Sequence, residues 1–173
     1  MKPMIIPIVK EPDPGLHRRA TDVTQITPEI QTLIDSMIET THAAEGVGLA
    51  ANQIGSPLNI LVATPDGKKG KELVLINSVI LTRSGKECSP EGCLSVPGVS
   101  GEPVRSAAVT VSGLTRDGKR VTLEADRLLA KILQHEVDHL QGHLFLDRLG
   151  LLKRHRLLKK YLAITRSLQQ VRF

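Results

Sequence analysis

Ala125-Asp126-Arg127-Leu128-Leu129-Ala130-Lys131-Ile132-Leu133-Gln134-His135-Glu136-Val137-Asp138-His139-Leu140-Gln141 is the stretch on which the fold turns. Leu128, Leu129, Ile132, Leu133, Val137 and Leu140 recur at helical spacing and cover more than half the circumference, so the pattern predicts a helix through the core. Gly142 is placed to stop it. His135 and His139 stand about one turn apart and aim both imidazoles at one point, which makes them a metal-binding pair. Glu136, one residue round from His135, would stand beside an ion and within reach of its water as a general base. The bland alternative is two chance histidines and a surface carboxylate. It would leave polar groups on an otherwise apolar helix, where burial costs ~1–3 kcal/mol each unless they are paired.

Working outward, Thr27-Pro28-Glu29 followed by Ile30, Leu33, Ile34, Met37 and Ile38 predicts a capped, proline-started helix ending near Ala43 or Ala44, ahead of Gly46. Short β-type runs are expected at Asn59–Val62, Leu73–Ile76, Val79–Leu81, Ala108–Val111 and Arg120–Leu123, with Thr115-Arg116-Asp117-Gly118-Lys119 as a hairpin turn. Glu11–Gly15 and Pro97–Pro103 read as loops. A last helix from Leu151 to about Leu168 would align Leu151, Leu158 and Leu162 opposite Lys153, Arg156 and Lys160. Helices and strands do not alternate as parallel βαβ units would. The expected class is therefore α+β: small antiparallel or mixed sheets around a central core helix that carries the metal-binding motif, with further helices near both termini.

The 173 residues suit one domain, read here as 1–173, with 149–173 as a basic C-terminal helix or tail. Hydrophobic residues make up 40% and charged residues 24%, which argues against disorder. No apolar run approaches the ~20 residues of a spanning helix. The N-terminal stretch through Ile5 and Ile6 is too short for a signal peptide, so a cytoplasmic protein is expected. Seven Lys or Arg and no Asp or Glu follow Leu149; the other 16 cations face 18 carboxylates, so the net charge of +5 belongs to the tail. Cys88 and Cys93 would close only a trivial loop, which favours a free thiol with chemistry to do.

A catalytic metal site needs a third protein ligand and an open position for water. Cys93, His143, Cys88 and Asp147 are the candidates. His143 lies past Gly142, where the helix should be breaking. Cys93 sits in Glu91-Gly92-Cys93-Leu94-Ser95-Val96-Pro97, where glycine lets backbone approach closely and a thiolate would be a strong soft donor. A third segment, Gly46-Val47-Gly48-Leu49-Ala50-Ala51-Asn52-Gln53-Ile54-Gly55, sets one neutral amide, Gln53, among small residues. It lacks the glycine spacing and strand-to-helix context of a dinucleotide loop.

Together Gly46–Gln53, Glu91–Ser95 and Gln134–Gly142, in this order, resemble the three signature motifs of the peptide deformylase family. The resemblance runs from the Ile8-Val9-Lys10-Glu11-Pro12-Asp13-Pro14 segment to about Asp147, and leaves out the tail. It implies a hydrolase that removes the N-formyl group from the N-terminal formyl-methionine of nascent polypeptides. Cys93, His135 and His139 would hold one divalent metal, natively Fe2+, although Zn2+, Ni2+ and Co2+ also suit the donors. Glu136 would be the acid/base, and Gln53 with the Leu94 N–H would flank the formyl oxygen. The ion would bring the pKa of its water from about 15.7 to roughly 7, and the hydroxide would attack the formyl carbon. The methionine side chain would enter an apolar pocket near Val47, Leu128 and Ile132, while the peptide pairs in extended form with Val47 and Gly48.

Two positions depart from the family pattern. Asn52 stands where proline or threonine is common, and Val99-Ser100-Gly101 lacks an arginine that many bacterial members carry. Asp138 would either hold a neighbour of a metal ligand or form a structural ion pair, and the ion pair is the favoured reading. The basic tail, with Lys153, Arg154, Arg156, Lys159, Lys160, Arg166 and Arg172, suggests contact with the ribosome, the bland alternative being a solvated helix face. With only Phe145, Tyr161 and Phe173 as aromatics, sequence-specific nucleic-acid binding is not expected. The rival readings are a small zinc peptidase with a downstream third ligand, a non-catalytic ribosome-associated metal protein, and a deformylase-like chain without activity.

Overall fold

The computed structural model describes residues 2–170, so Arg172 and Phe173 of the basic tail lie outside the described residues. Helix α1 spans Pro28–Ala43, with Thr27 as its N-cap accepting the Ile30 N–H. Strands β1 (Gly48–Ala50), β2 (Ile60–Ala63), β3 (Leu73–Ser84), β8 (Ala108–Leu114) and β9 (Arg120–Asp126) form one antiparallel sheet in the order β1-β2-β3-β8-β9. Two small ribbons lie apart from it: β4 (Glu87–Cys88) pairs with β7 (Val104–Arg105), and β5 (Glu91–Gly92) pairs with β6 (Ser100–Gly101). Helix α2 covers Arg127–Leu140 and helix α3 covers Leu151–Gln170. The class is α+β.

Strand β2 explains the layering. All four of its residues, Ile60-Leu61-Val62-Ala63, are buried, because side chains alternate between two covered faces. Leu61 and Ala63 pack with Leu75, Val109, Val111 and the α2 residues Ile132, Leu133, Val137 and Leu140. Ile60 and Val62 pack with Val74, Ile76 and the α1 residues Ile34 and Met37. The sheet is thus covered by α1 on one face and α2 on the other.

Several expectations are adjusted by long-range contacts. Leu73–Ile76 and Val79–Leu81 form one strand, with an irregularity at Asn77, whose φ is 55°. The Asn77 amide compensates by exchanging two hydrogen bonds with the Val23 backbone, at 2.7 and 2.8 Å. Strand β9 runs on to Asp126, so α2 begins two residues later than its apolar pattern suggests. Ala125 pairs with Val109 in the ladder. Ser100–Gly101, read as loop, pairs with Glu91–Gly92.

The buried face of α3 matches the expected stripe only at Leu158. Leu151 is 83% and Leu162 43% exposed, whereas Tyr161 is 1% exposed and packs with Phe145 and Leu146, flanked by Leu157, Leu158 and Ile164. Leu157, Tyr161 and Ile164 also recur at helical spacing, and the aromatic anchor decides which stripe faces inward.

Position 142, just past the end of α2, calls for glycine for two reasons. Its φ is +81°, and a Cβ there would lie 2.6 Å from the His17 carbonyl oxygen.

Candidate metal centre

Helix α2 presents His135 and His139 one turn apart, with ring centroids separated by 4.9 Å. Glu91, at the start of β5, fixes the first ring: its Oε2 lies 3.0 Å from His135 Nδ1. Because a carboxylate accepts, Nδ1 carries the proton and Nε2 is left with its lone pair. Arg105 in turn donates to both oxygens of Glu91, each at 2.9 Å, and also reaches Asp138, which Arg148 grips through two further hydrogen bonds. Burial raises the Glu91 carboxyl, but hydrogen bonds from His135 and Arg105 outweigh it and bring it down to about 2. Asp138 is an ion-pair residue, as read from the sequence.

The pairing of β5 with β6 carries the chain directly into Cys93, which is buried. Its Sγ lies 3.2 Å from His139 Nε2 and receives the Ser95 N–H at 3.4 Å. Burial raises the thiol, yet the neighbouring His139 and His135 overcome this and hold it well below its usual value. One ligand atom from each of Cys93, His135 and His139 lies within 4.8 Å of the others. Tetrahedral metal sites have metal–sulfur bonds of about 2.3 Å and metal–nitrogen bonds of about 2.0–2.1 Å, so this group fits a single ion with one position left open. Two buried polar atoms beside it, Glu136 Oε2 and His139 Nδ1, have no hydrogen-bond partner among the described residues.

Glu136 is 4% exposed, and burial pushes its carboxyl up to about 7 against the opposing pull of His135 and His139. Strand β1 passes so close that a Cβ on Gly48 would sit 2.5 Å from Glu136 Oε1 and 2.8 Å from Ile132 Cγ2. Glycine is therefore required at position 48 by contact, not by backbone angle. Gln53, in a single 3-10 turn over Ala51–Ile54, accepts the Ala50 N–H at 2.8 Å and donates from Nε2 to Ser95 Oγ at 3.2 Å and toward Cys93 Sγ at 3.7 Å. Asn52 donates to the His139 carbonyl, so this departure ties the turn to α2.

These groups open on one cavity of roughly 490 Å³, whose wall includes Val47, Gly48, Gln53, Leu94, Leu128, Ile132 and Glu136. Val47 and Leu128 are each 45% exposed at its mouth, whereas Ile132 is 3% exposed at depth. β1 is an edge strand of the five-stranded sheet. The other third-ligand candidates lie elsewhere. Cys88 is exposed with its thiol on the Glu102 carbonyl, His143 stands beside Asp147 at 4.0 Å, and Asp147 is engaged by Arg154 at 2.9 Å. Glu91 and Arg105 received no role from the sequence. A carboxylate two residues before a candidate ligand cysteine was a usable signal for Glu91; Arg105 carries none, since its partners are distant in sequence.

A family model described as polypeptide deformylase matches residues 5–155. The chain belongs to the polypeptide deformylase family. It is 48% identical over 145 residues to the peptide deformylase of Halothermothrix orenii, covering 83% of this chain and 93% of that one. It is 44% identical over 156 residues to the peptide deformylase of Nitrosococcus oceani, covering 90% and 93%. The crystal structure of a peptide deformylase from Legionella pneumophila superposes with a TM-score of 0.91 at 41% identity, over 98% of this chain and 99% of that one. Deformylase family membership therefore covers the sheet, α2 and the whole metal centre. Among the described residues, no helix is long and apolar enough to cross a membrane.

Proposed function

We propose that this chain removes the formyl group from the N-terminal formyl-methionine of nascent polypeptides and releases formate, using one divalent ion held by Cys93, His135 and His139. The observation that carries the reading is convergence: one thiol and two imidazoles meet within 4.8 Å, and a Glu136 carboxyl oxygen with no hydrogen-bond partner among the described residues lies buried beside them. When bound, the ion would activate water at neutral pH and polarise the formyl carbonyl. Fe2+ is the proposed native ion, by family resemblance, and Zn2+, Ni2+ and Co2+ suit the same donors.

Glu136 takes the proton of the attacking water and returns it to the departing amine, from a carboxyl that its dry surroundings keep easily protonated. The Gln53 amide and the Leu94 N–H receive charge on the formyl oxygen; one such donor is typically worth about 2.7–4 kcal/mol of barrier. The methionine side chain enters the cavity along Val47, Leu128 and Ile132. The peptide adds as a strand along Val47 and Gly48, where main-chain pairing tolerates varied side chains after methionine. A formyl carbon bears only hydrogen beside its oxygen, so the tight approach of Gly48 to Glu136 can exclude bulkier acyl groups.

The working compartment is taken to be the cytoplasm, where nascent chains emerge. Ribosome contact belongs to the same reading, because Lys153, Arg156, Lys159, Lys160 and Arg166 are all exposed on α3. Replacing Arg156, Lys159 and Lys160 by glutamate should weaken ribosome binding and flatten its salt dependence; unchanged binding would remove the contact. Against the peptidase rival stands His143, beyond the helix end beside Asp147. The reaction is tested by formate release from a formyl-Met peptide by anaerobically Fe2+-loaded protein, with Glu136→Ala as control. Equal rates for the two proteins would refute the assignment of Glu136.

A further inference from the structure

We infer that residues 9–11 form a clamp that sets the two donors to the formyl oxygen, and that Tyr161 on α3 is the positioning residue that holds the clamp. The inference rests on the donor roles proposed above for Gln53 and Leu94.

Three consecutive residues reach both donor segments. The Val9 N–H donates to the Gln53 carbonyl at 2.8 Å, the Lys10 ammonium donates to the Leu94 carbonyl, and the Glu11 N–H donates to the Ser95 carbonyl at 3.0 Å. The donor segments also touch each other, through Gln53 Nε2 and Ser95 Oγ at 3.2 Å. Val9 thus holds the Gln53–Ile54 peptide, while Lys10 holds the Leu94–Ser95 peptide and Glu11 the Ser95–Val96 peptide, the two peptides that follow the Leu94 N–H. A shift of the clamp would move both donors together.

The clamp is anchored from the other end of the chain. Tyr161 is 1% exposed, and its hydroxyl donates to the Glu11 carbonyl at 2.7 Å, across 150 positions of sequence. A buried phenol needs such a partner, and here the partner is the residue whose own N–H holds Ser95. Helix α3 supports the same wall a second time: Ile164 Cδ1 lies 3.1 Å from where a Cβ on Gly98 would be, and Gly98 lines the cavity. The helix that carries the basic surface is therefore mechanically continuous with the two donor segments. Donors of this kind must be held to within about 0.5 Å to be effective.

Tyr161→Phe deletes one hydroxyl and keeps the ring in its packing. The expected result on formyl-Met peptide is a kcat lowered about 3- to 10-fold, in line with the loss of one hydrogen bond, with KM and metal content unchanged. In the Zn2+-loaded protein, the 15N–1H resonances of Leu94 and Ser95 should shift, while those of α1 stay in place. A variant with unchanged kcat and unmoved Leu94 and Ser95 resonances, even one with a lower melting temperature, would overturn the clamp and leave Tyr161 as packing. If the wild-type chain released no formate, the proposed reaction would fail, and the resonance shifts would still decide the clamp.

Discussion

Glu91 accepts a hydrogen bond from His135 Nδ1 at 3.0 Å while Arg105 holds both of its oxygens at 2.9 Å. The carboxylate thereby fixes the tautomer and angle of a candidate ligand from a strand that also leads into Cys93. Outer partners of this kind typically contribute 10–100-fold to metal affinity. Glu91→Gln should lower affinity by about that factor in a competitive chelator titration. Unchanged affinity would show that α2 alone orients the ring.

Gly48→Ala adds one methyl group where Glu136 Oε1 lies 2.5 Å and Ile132 Cγ2 2.8 Å away. Either Glu136 or β1 must move, and a displacement of about 1 Å can cost 10²-fold in rate. Formate release should fall by one to two orders of magnitude, about the scale of such a misplacement, with metal content preserved. Wild-type turnover would show that the acid/base has room to spare.

Asp138 is 2% exposed and sits between Arg105 and Arg148. Removing its charge leaves Arg105 buried with a single carboxylate partner, Glu91. Asp138→Asn should destabilise the protein by about 3 kcal/mol in urea unfolding, the low end for breaking a buried pair. A loss under about 1 kcal/mol would place the network among the weak surface pairs.

Much of this arrangement is legible in the chain itself, and the exceptions share a cause. Helix α2 announces itself because Leu128, Ile132 and Leu140 keep helical spacing over several turns and His135, Glu136 and His139 share that register. Helix α1 is bounded by Thr27 and Pro28, whose capping chemistry is local. The buried stripe of α3 differs from expectation because two sets of apolar residues fit a helix equally well, and only Phe145, brought against it by folding, selects Tyr161. Ribbons such as β5 with β6 contain two residues per strand, too few for any period to show. Cys93, Gln53 and Leu94 stand out by motif resemblance, and Glu91 could have been found by its place two residues before Cys93, whereas Arg105 and residues 9–11 act through contacts that no local pattern encodes.

Another buried carboxyl contact joins the C-terminal end of α1 to Glu72. His42 Nε2 and Glu72 Oε1 are 2.6 Å apart, and both side chains are largely buried. Burial raises the Glu72 carboxyl, but hydrogen bonds from His42 and the backbone outweigh it and hold it below the usual 4.5. A carboxyl depressed in the folded state contributes stability that is present above its unfolded value and lost as the pH falls through its folded value. The stability difference between wild type and Glu72→Gln should therefore be present above the ordinary carboxyl range and close as the pH falls below it. A difference that persists into acid would assign the effect to packing.

The central claim is that Cys93, His135 and His139 hold one ion together. X-ray absorption at the metal edge of the anaerobically Fe2+-loaded protein tests it most directly. The account predicts one sulfur neighbour at about 2.3 Å and two imidazole nitrogens at about 2.0–2.1 Å, with the sulfur signal lost in Cys93→Ser. A wild-type spectrum with no sulfur in the coordination shell would contradict it.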